Sequence, residues 1–452
     1  MKALLSILLA LPLACAQDTR HVTEPSIPPA CATVEAHLSS KGATLDAADE
    51  NKPDTARIQK ALDSCAAGKS VVLKPGAGHN AFLSGPLDLR RGVTLQVDAG
   101  AILLASRNPR DYDISPGICG TITEGGHGCR ALINGDSIAN AAVMGDGLID
   151  GRGSAKILGK DISWWDLAEQ ARKGGNQNCP RIMILNHCDN FTLYRITLRN
   201  SPNFHVSYNK GNGFTAWGVK LWAPGKGARN TDGIDPGNST NVTITHCYIH
   251  AGDDNVAIKA GPGAPTTHMT IAHNHFYAGH GMSIGSNTDG GASAIRVTDL
   301  SIDGADNGIR IKSNSSRGGL VHDVVYEDVC IRNTKNPIYM DSNYSYYGKD
   351  RDKLPTFQDI TLRKVRIAGA GKITLDGYDE SHRFGIRFDD VLLEDPQSVE
   401  TTAVHAVVTL GPGPVNFLPK GEDVVVKGEP GHAAEASCAS KFVKFPEIPE
   451  SR

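Results

Sequence analysis

The chain has 452 residues, of which 40% are hydrophobic and 21% charged, with 49 glycines; this is the composition of a folded, turn-rich protein and not of a disordered one. A formal net charge of -3 excludes the broad basic field that draws proteins to nucleic acid or acidic membranes, so recognition of a polyanion has to be local. Length alone does not divide the chain, because repetitive β folds run well past ~150 residues as one domain.

Residues 1–16, MKALLSILLALPLACA, combine Lys2, an apolar run from Ala3 to Leu13 and the small-x-small triplet Ala14-Cys15-Ala16. That is the pattern of a cleaved export signal. A lipoprotein signal ending at Cys15 competes with it, but Pro12 stands where that motif wants an aliphatic residue. No later segment reaches the ~18 apolar residues of a membrane span. The expectation is a secreted, soluble, single catalytic domain over 17–452, a monomer with no nucleic-acid or membrane partner. Its nine cysteines, Cys31, Cys65, Cys119, Cys129, Cys179, Cys188, Cys247, Cys330 and Cys438, read as disulfide candidates in an exported chain. Cys31 with Cys65 and Cys119 with Cys129 close short loops, and the odd number leaves at least one thiol free.

Residues 54–66, DTARIQKALDSCA, form the best helix of the chain, with Asp54 as N-cap, and are placed as a lid on the N-terminal end of a long strand-rich region. Short strands come next in VVLKPG from Val71, VTLQVDAGAILLAS from Val93 and AAVMGDGLIDGRG from Ala141. From about residue 190 one pattern recurs: FTLYRITL, FTAWGVKL, VTITHCYI, MTIAHNHF, IRVTDLSI, VVYEDVCI, ITLRKVRI and IRFDDVLL, each read as a short alternating strand. Aligned at Leu193, Ala216, Ile244, Ile271, Val297, Tyr326, Leu362 and Phe388, they are spaced by 23, 28, 27, 26, 29, 36 and 26 residues. A period of that size built from strands and Gly, Asn and Asp turns is a solenoid. The predicted fold is all-β, a right-handed parallel β-helix; a propeller or a sandwich explains the regular coil length less well.

Equal offsets on successive coils become vertical neighbours roughly 4.8 Å apart. Asp253 is four residues after Ile249 and His280 four after Phe276, so the two are expected to stack. Lys259 and Lys312 each fall ten residues after a strand end, Ile249 and Ile302, two coils apart on one ledge. In the IRIKS strand Arg310 and Lys312 alternate with Ile309 and Ile311, so the cations are expected to face outward. Asp232 lies one coil earlier, in NTDGID.

Taken singly, Asp232 or Asp235 beside glycine reads as a turn former, His280 between glycines as a tight-turn residue, and Arg310 with Lys312 as a solvated face. Together they form a charged cleft, and the adjacent carboxylates Asp253 and Asp254 repel, which separates their pKa values as acid and base work requires. Glycoside hydrolysis needs one protonated and one ionised carboxyl, and the two cations suit a sugar that itself carries a carboxylate.

NTDG at 230–233, GDD at 252–254, GHG at 279–281 and RIK at 310–312 resemble, in order, the four motifs of the polygalacturonases, family 28 glycoside hydrolases. The surrounding SPNFHVSYNKGNGFTAW, NTDGIDP, GDDNVAIK and GHGMSIGS extend the similarity, with bacterial endopolygalacturonases in particular, over roughly residues 85–395. The resemblance implies Asp253 as general acid, Asp232 and Asp254 as the carboxylates that activate water, and His280 as partner of the acid. It implies Arg310 and Lys312 as ligands of the substrate carboxylate, with Lys259 on the same ledge, Tyr344 in DSNYS as a substrate-binding tyrosine on a looser alignment, and Asn230 holding the first motif. It calls for no metal and no cofactor. The family inverts configuration through carboxyls roughly 6.5–9.5 Å apart, whereas neighbouring coils would bring Asp232 and Asp253 to about 5 Å, the spacing of retention; coil adjacency, however, bounds the Cα atoms and not the carboxyl oxygens. A pectate lyase would share fold and substrate but would need calcium and no GHG histidine. A non-catalytic β-helix binder would not need the intact acids. Endo action is expected over exo.

Overall fold

The computed structural model describes residues 17–41, 44–345, 352–431 and 438–448, so the expected export signal, residues 1–16, lies outside the described residues. A parallel ladder runs through the chain from Ala30–Glu35, paired with Lys69–Lys74, to Val399–Leu410, paired with Lys420–Lys427. The repeat alignment is met rung by rung. Leu193 pairs with Ala216, Ala216 with Ile244, Ile244 with Ile271, Ile271 with Val297, Val297 with Tyr326, Tyr326 with Leu362, and Leu362 with Phe388. All eight side chains are fully buried in one continuous core, as stacked coils of a right-handed parallel β-helix require.

Each octapeptide expected as one alternating strand bends at a corner: the first three are two short strands meeting there, and the last five lie within single strands, such as Thr266–Tyr277 and Ala292–Asp303, that run through it. Two residues after every aligned position the backbone turns left-handed: Arg195, Gly218, His246, His273, Asp299, Asp328, Lys364 and Asp390 have φ of 49° to 65°. The bend lets core side chains on both arms point into the same interior, which a straight strand with period two would not do. The corner side chains project outward and stack in their turn, His246 lying 4.8 Å from the Trp217 ring and 5.0 Å from His273 between centroids.

The expected helix spans Thr55–Ser64 (α1) and gives Ile58 and Leu62 to the core. Asp54 does not cap it with its side chain: the carboxylate turns away to Arg57 and to the amide of Leu83, 3.2 Å distant. A second helix, Trp164–Gln170 (α2), opens on a capping box between Ser163 and Asp166. It is tied to the repeat region by Trp165 Nε1, which donates to the Ser201 carbonyl at 2.9 Å, and by Arg229, which donates to the Ala168 carbonyl at 2.9 Å.

Both expected disulfides are present, Cys31–Cys65 and Cys119–Cys129, and a third, Cys330–Cys438, joins residues 108 apart. Cys179, Cys188 and Cys247 are free and buried. The third bridge pins a C-terminal tail along the outside of the coils, where Lys441 pairs with Asp299 and Asp328 and Tyr277 donates to the Val443 carbonyl at 3.0 Å. An N-terminal segment runs lengthwise across the stack. Asp18 bonds Thr270 and Thr243, Thr19 bonds Asn241, Arg20 reaches the Phe214 carbonyl, and Glu24 accepts from the Tyr194 hydroxyl at 2.7 Å. No helix among the described residues is long and apolar enough to cross a membrane.

Candidate active site

Six strands on successive coils carry the charged residues: Met183–Asn186 (β1), Val206–Asn209 (β2), Ile234–Gly237 (β3), Val256–Ile258 (β4), Met282–Gly285 (β5) and Asn307–Lys312 (β6), each in parallel register with the next. Along one side of this stack a cleft is lined by Asp232, Asp235, Asp253, Asp254, Lys259 and Lys312, with Tyr344 at one end and His127 and Arg181 at the other.

Asp253 and His280 stack as the offsets demand. His280 Nδ1 is 3.0 Å from Asp253 Oδ1, and the His280 amide donates to the Asp253 carbonyl at 2.8 Å. The flanking glycines make this approach possible. Both have positive φ, and a Cβ on Gly279 would lie 2.4 Å from the Asp253 carbonyl oxygen, one on Gly281 2.2 Å from that of Asn307. The fully buried Asn255 locks the same turns, donating to the Ile249 carbonyl at 2.8 Å and accepting the Gly281 amide at 2.8 Å.

Lys259, Gly285 and Lys312 occupy one ladder position on β4 to β6, so the two lysines share a ledge. They do not face open solvent, however, and neither does Arg310. Arg310 and Lys312 are buried and converge on Asp254, Nη1 at 3.1 Å from Oδ1 and Nζ at 2.8 Å from Oδ2. Ile309 and Ile311 do enter the core; the cations take the opposite face, but the Asp254 carboxylate, from two coils away, covers them. Lys259 is likewise engaged, 2.7 Å from Asp235 and 3.3 Å from Asp232. Tyr344 closes over the basic pair, its ring centroid 5.3 Å from the Arg310 guanidinium and 5.5 Å from the Lys312 ammonium. Asn230, at φ 57°, accepts from Gln177 at 3.0 Å and joins the cleft wall. Counting back from the Ile234–Val256 pair sets Asp232 opposite Asp254, which makes Asp253 its diagonal neighbour.

The four carboxyls sit in two electrostatic classes. Burial, reinforced by the charges of Asp235 and Asp253, holds Asp232 well above the usual carboxylate range. Burial also raises Asp235, against the opposing pull of Lys259. Burial pushes Asp253 up as well, but the His280 hydrogen bond outweighs it and leaves the carboxyl low. For Asp254 the charges of Lys312 and Arg310 override burial by more, and its carboxyl is held far down. His280, which burial would lower, is raised overall by Asp253. One cleft thus holds both proton-retaining and proton-releasing acids, the separation that acid and base chemistry exploits. Asp253, Asp254 and His280 also bring ligand atoms within 4.8 Å of one another. Their close charge-paired contacts to His280, Arg310 and Lys312 already account for that grouping.

Offset counting that begins at residue 190 misses Arg181, attention to charged groups passes over Phe204, and local sequence marks Asp235 only as a turn former; the ladder from Met183 puts the first two in the column of Asp232.

A parallel β-helix whose cleft gathers these acids and cations defines a polysaccharide-cleaving class, and the chain belongs to glycosyl hydrolases family 28, which residues 82–410 match. Over 496 residues it is 38% identical to a polygalacturonase of Ralstonia nicotianae, covering 95% of this chain and 93% of the relative. Over 382 residues it is 42% identical to an endo-polygalacturonase of Pectobacterium carotovorum subsp. carotovorum, covering 84% and 90%. Its fold superposes on the solved polygalacturonase from Erwinia carotovora ssp. carotovora with a TM-score of 0.76 at 38% identity, over 93% of this chain and 99% of the other.

Proposed function

We propose that this chain is a secreted, endo-acting polygalacturonase, hydrolysing α-1,4-galacturonosyl linkages with inversion. The observation that carries the reading is the pairing of one accessible acid with a wall of cations. The Asp253 side chain is 19% exposed, against 4% for Asp232 and Asp235 and 2% for Asp254, so Asp253 is the carboxyl that a glycosidic oxygen can meet. It acts as general acid, with His280 as its positioning partner.

In the free protein Asp253 is low in part because of the field of Lys312. A galacturonate carboxylate drawn to Lys312 and Arg310 offsets that field and raises Asp253 towards the protonated state it needs. Substrate arrival therefore favours the protonated acid. On the other face of the sugar, Asp254 is fully ionised and Asp232 retains one oxygen, Oδ1, without a hydrogen-bond partner among the described residues. We read Asp254, held low, as the carboxylate that deprotonates the attacking water, and Asp232, held high, as the one that helps to orient it. Tyr344, Lys259 and Asn230 line the sugar path.

Residues 17–452 are read as one catalytic domain delivered by the export signal at 1–16. The contacts of Asp18, just beyond the expected cleavage point, and three disulfides support an oxidising destination. Reducing-end release from polygalacturonate without unsaturated products tests the hydrolysis, and unsaturated products would overturn it. Brief digestion tests the endo mode: a ladder of oligomers is expected, and monomer alone would mean exo action.

A further inference from the structure

Arg181 stands where the cleft leaves the catalytic coils. It lies two residues before Met183, which places it on the β1 coil in the column of Phe204, Asp232 and Asp254. At roughly 4.8 Å per coil it is about 10 Å beyond Asp232 and about 24 Å from the level of Arg310. Lys259, Arg310 and Lys312 each meet a protein carboxylate. Arg181 meets none among the described residues. Its partners are neutral: Nε donates to Asn203 Oδ1 at 3.2 Å and Nη1 to Ser207 Oγ at 3.0 Å, while Nη2 has no partner among the described residues.

The Phe204 ring packs against both Arg181, 4.4 Å from its centroid, and Lys259, 4.5 Å away. The charges of Asp235 and Asp232 reach the guanidinium, but Lys259 is the cation they pair with. A half-buried guanidinium held in place by neutral groups, with donors still unused, is set up for an incoming carboxylate, which it can grip with two parallel hydrogen bonds. Around it His127, Asn230 and Gln177 offer polar groups for sugar hydroxyls.

We propose that Arg181 is a second carboxylate-binding station for the same polygalacturonate chain, gripping a uronate several sugars from the one held at Arg310 and Lys312. This rests on the polygalacturonase reading. It makes cleavage depend on chain length: oligomers that end short of Arg181 gain nothing from it, and longer ones do.

The test is kcat/KM for Arg181→Gln, Arg181→Lys and the parent on galacturonate oligomers of increasing length and on polygalacturonate. The parent should gain with length up to the oligomer that reaches Arg181. Arg181→Gln should lose roughly tenfold to a hundredfold, the range of a charged hydrogen bond, chiefly through KM, on the longer substrates alone. Arg181→Lys should recover part of the loss. An equal loss at every length with a lowered thermal midpoint would mean a packing role and overturn the proposal, as would no loss at any length. A parent inactive on polygalacturonate would instead overturn the underlying function, and the proposal with it.

Discussion

His280 is fastened to Asp253 twice, ring to carboxylate at 3.0 Å and amide to carbonyl at 2.8 Å, so the histidine cannot shift without its backbone leaving the acid's coil. That rigidity makes the pair a single titrating unit, and it frames what substitutions should do.

Asp253→Asn keeps the shape and can still accept from His280, but it has no proton to give. Activity on polygalacturonate should fall by about 10² to 10⁴, the usual contribution of general acid catalysis, with the circular dichroism spectrum and thermal midpoint unchanged. Parent-like turnover would remove Asp253 from the acid role.

The alkaline limb of kcat/KM should belong to the Asp253–His280 pair. Because His280 is raised, the limb should lie above the ordinary histidine value of about 6.5, with activity lost as pH rises through it. The exposed Asp306, 3.7 Å from His280 Nε2, favours the charged ring, so Asp306→Asn should move the limb to lower pH with little change in the maximum. A limb indifferent to Asp306 would point to another group.

Asp254 is held low by Lys312 and Arg310, and a carboxyl depressed by folding stabilises above its unfolded value of about 3.9 and ceases to as pH falls through the folded one. Stability should therefore decline on acidification below about pH 4. Lys312→Met should flatten that decline and cost on the order of 2 kcal/mol at neutral pH, below the roughly 3–5 kcal/mol of a wholly unpaired buried charge, because Arg310 remains. Denaturation midpoints across pH for both proteins decide it.

Cys438→Ser should lower stability by about 2–4 kcal/mol, since the bridge to Cys330 closes a long loop, while leaving kcat and KM in place: the tail's contacts at Asp299, Asp328 and Val443 are not cleft residues. A loss of activity at temperatures where the fold persists would tie the tail to the cleft.

Most of the fold was readable because a solenoid is written locally. Leu193 and Ala216 need no distant information to be recognised as equivalent, and the ladder pairs them. The charged ledge was readable for the same reason. What escaped depends on depth or distance. Nothing in the alternation of IRIKS tells that Asp254 reaches over to bury Arg310 and Lys312. The 108 residues between Cys330 and Cys438 carry no local mark of their meeting. The helix Trp164–Gln170 is too short for periodicity to stand out, and its start at the Ser163–Asp166 capping box went unread.

The segment from Asp18 to Glu24 has a mechanical consequence. Coils in a solenoid ordinarily touch only their neighbours, so any interface can part while the rest hold. Here a single strip is bolted at Tyr194, Phe214, Asn241, Thr243 and Thr270, the very coils that carry β1 to β4. Parting any of those interfaces has to break, besides the ladder, the strip's bonds to the coils on one side of it, and so the stretch that holds the acids resists opening as a beam does and not as a pile of plates.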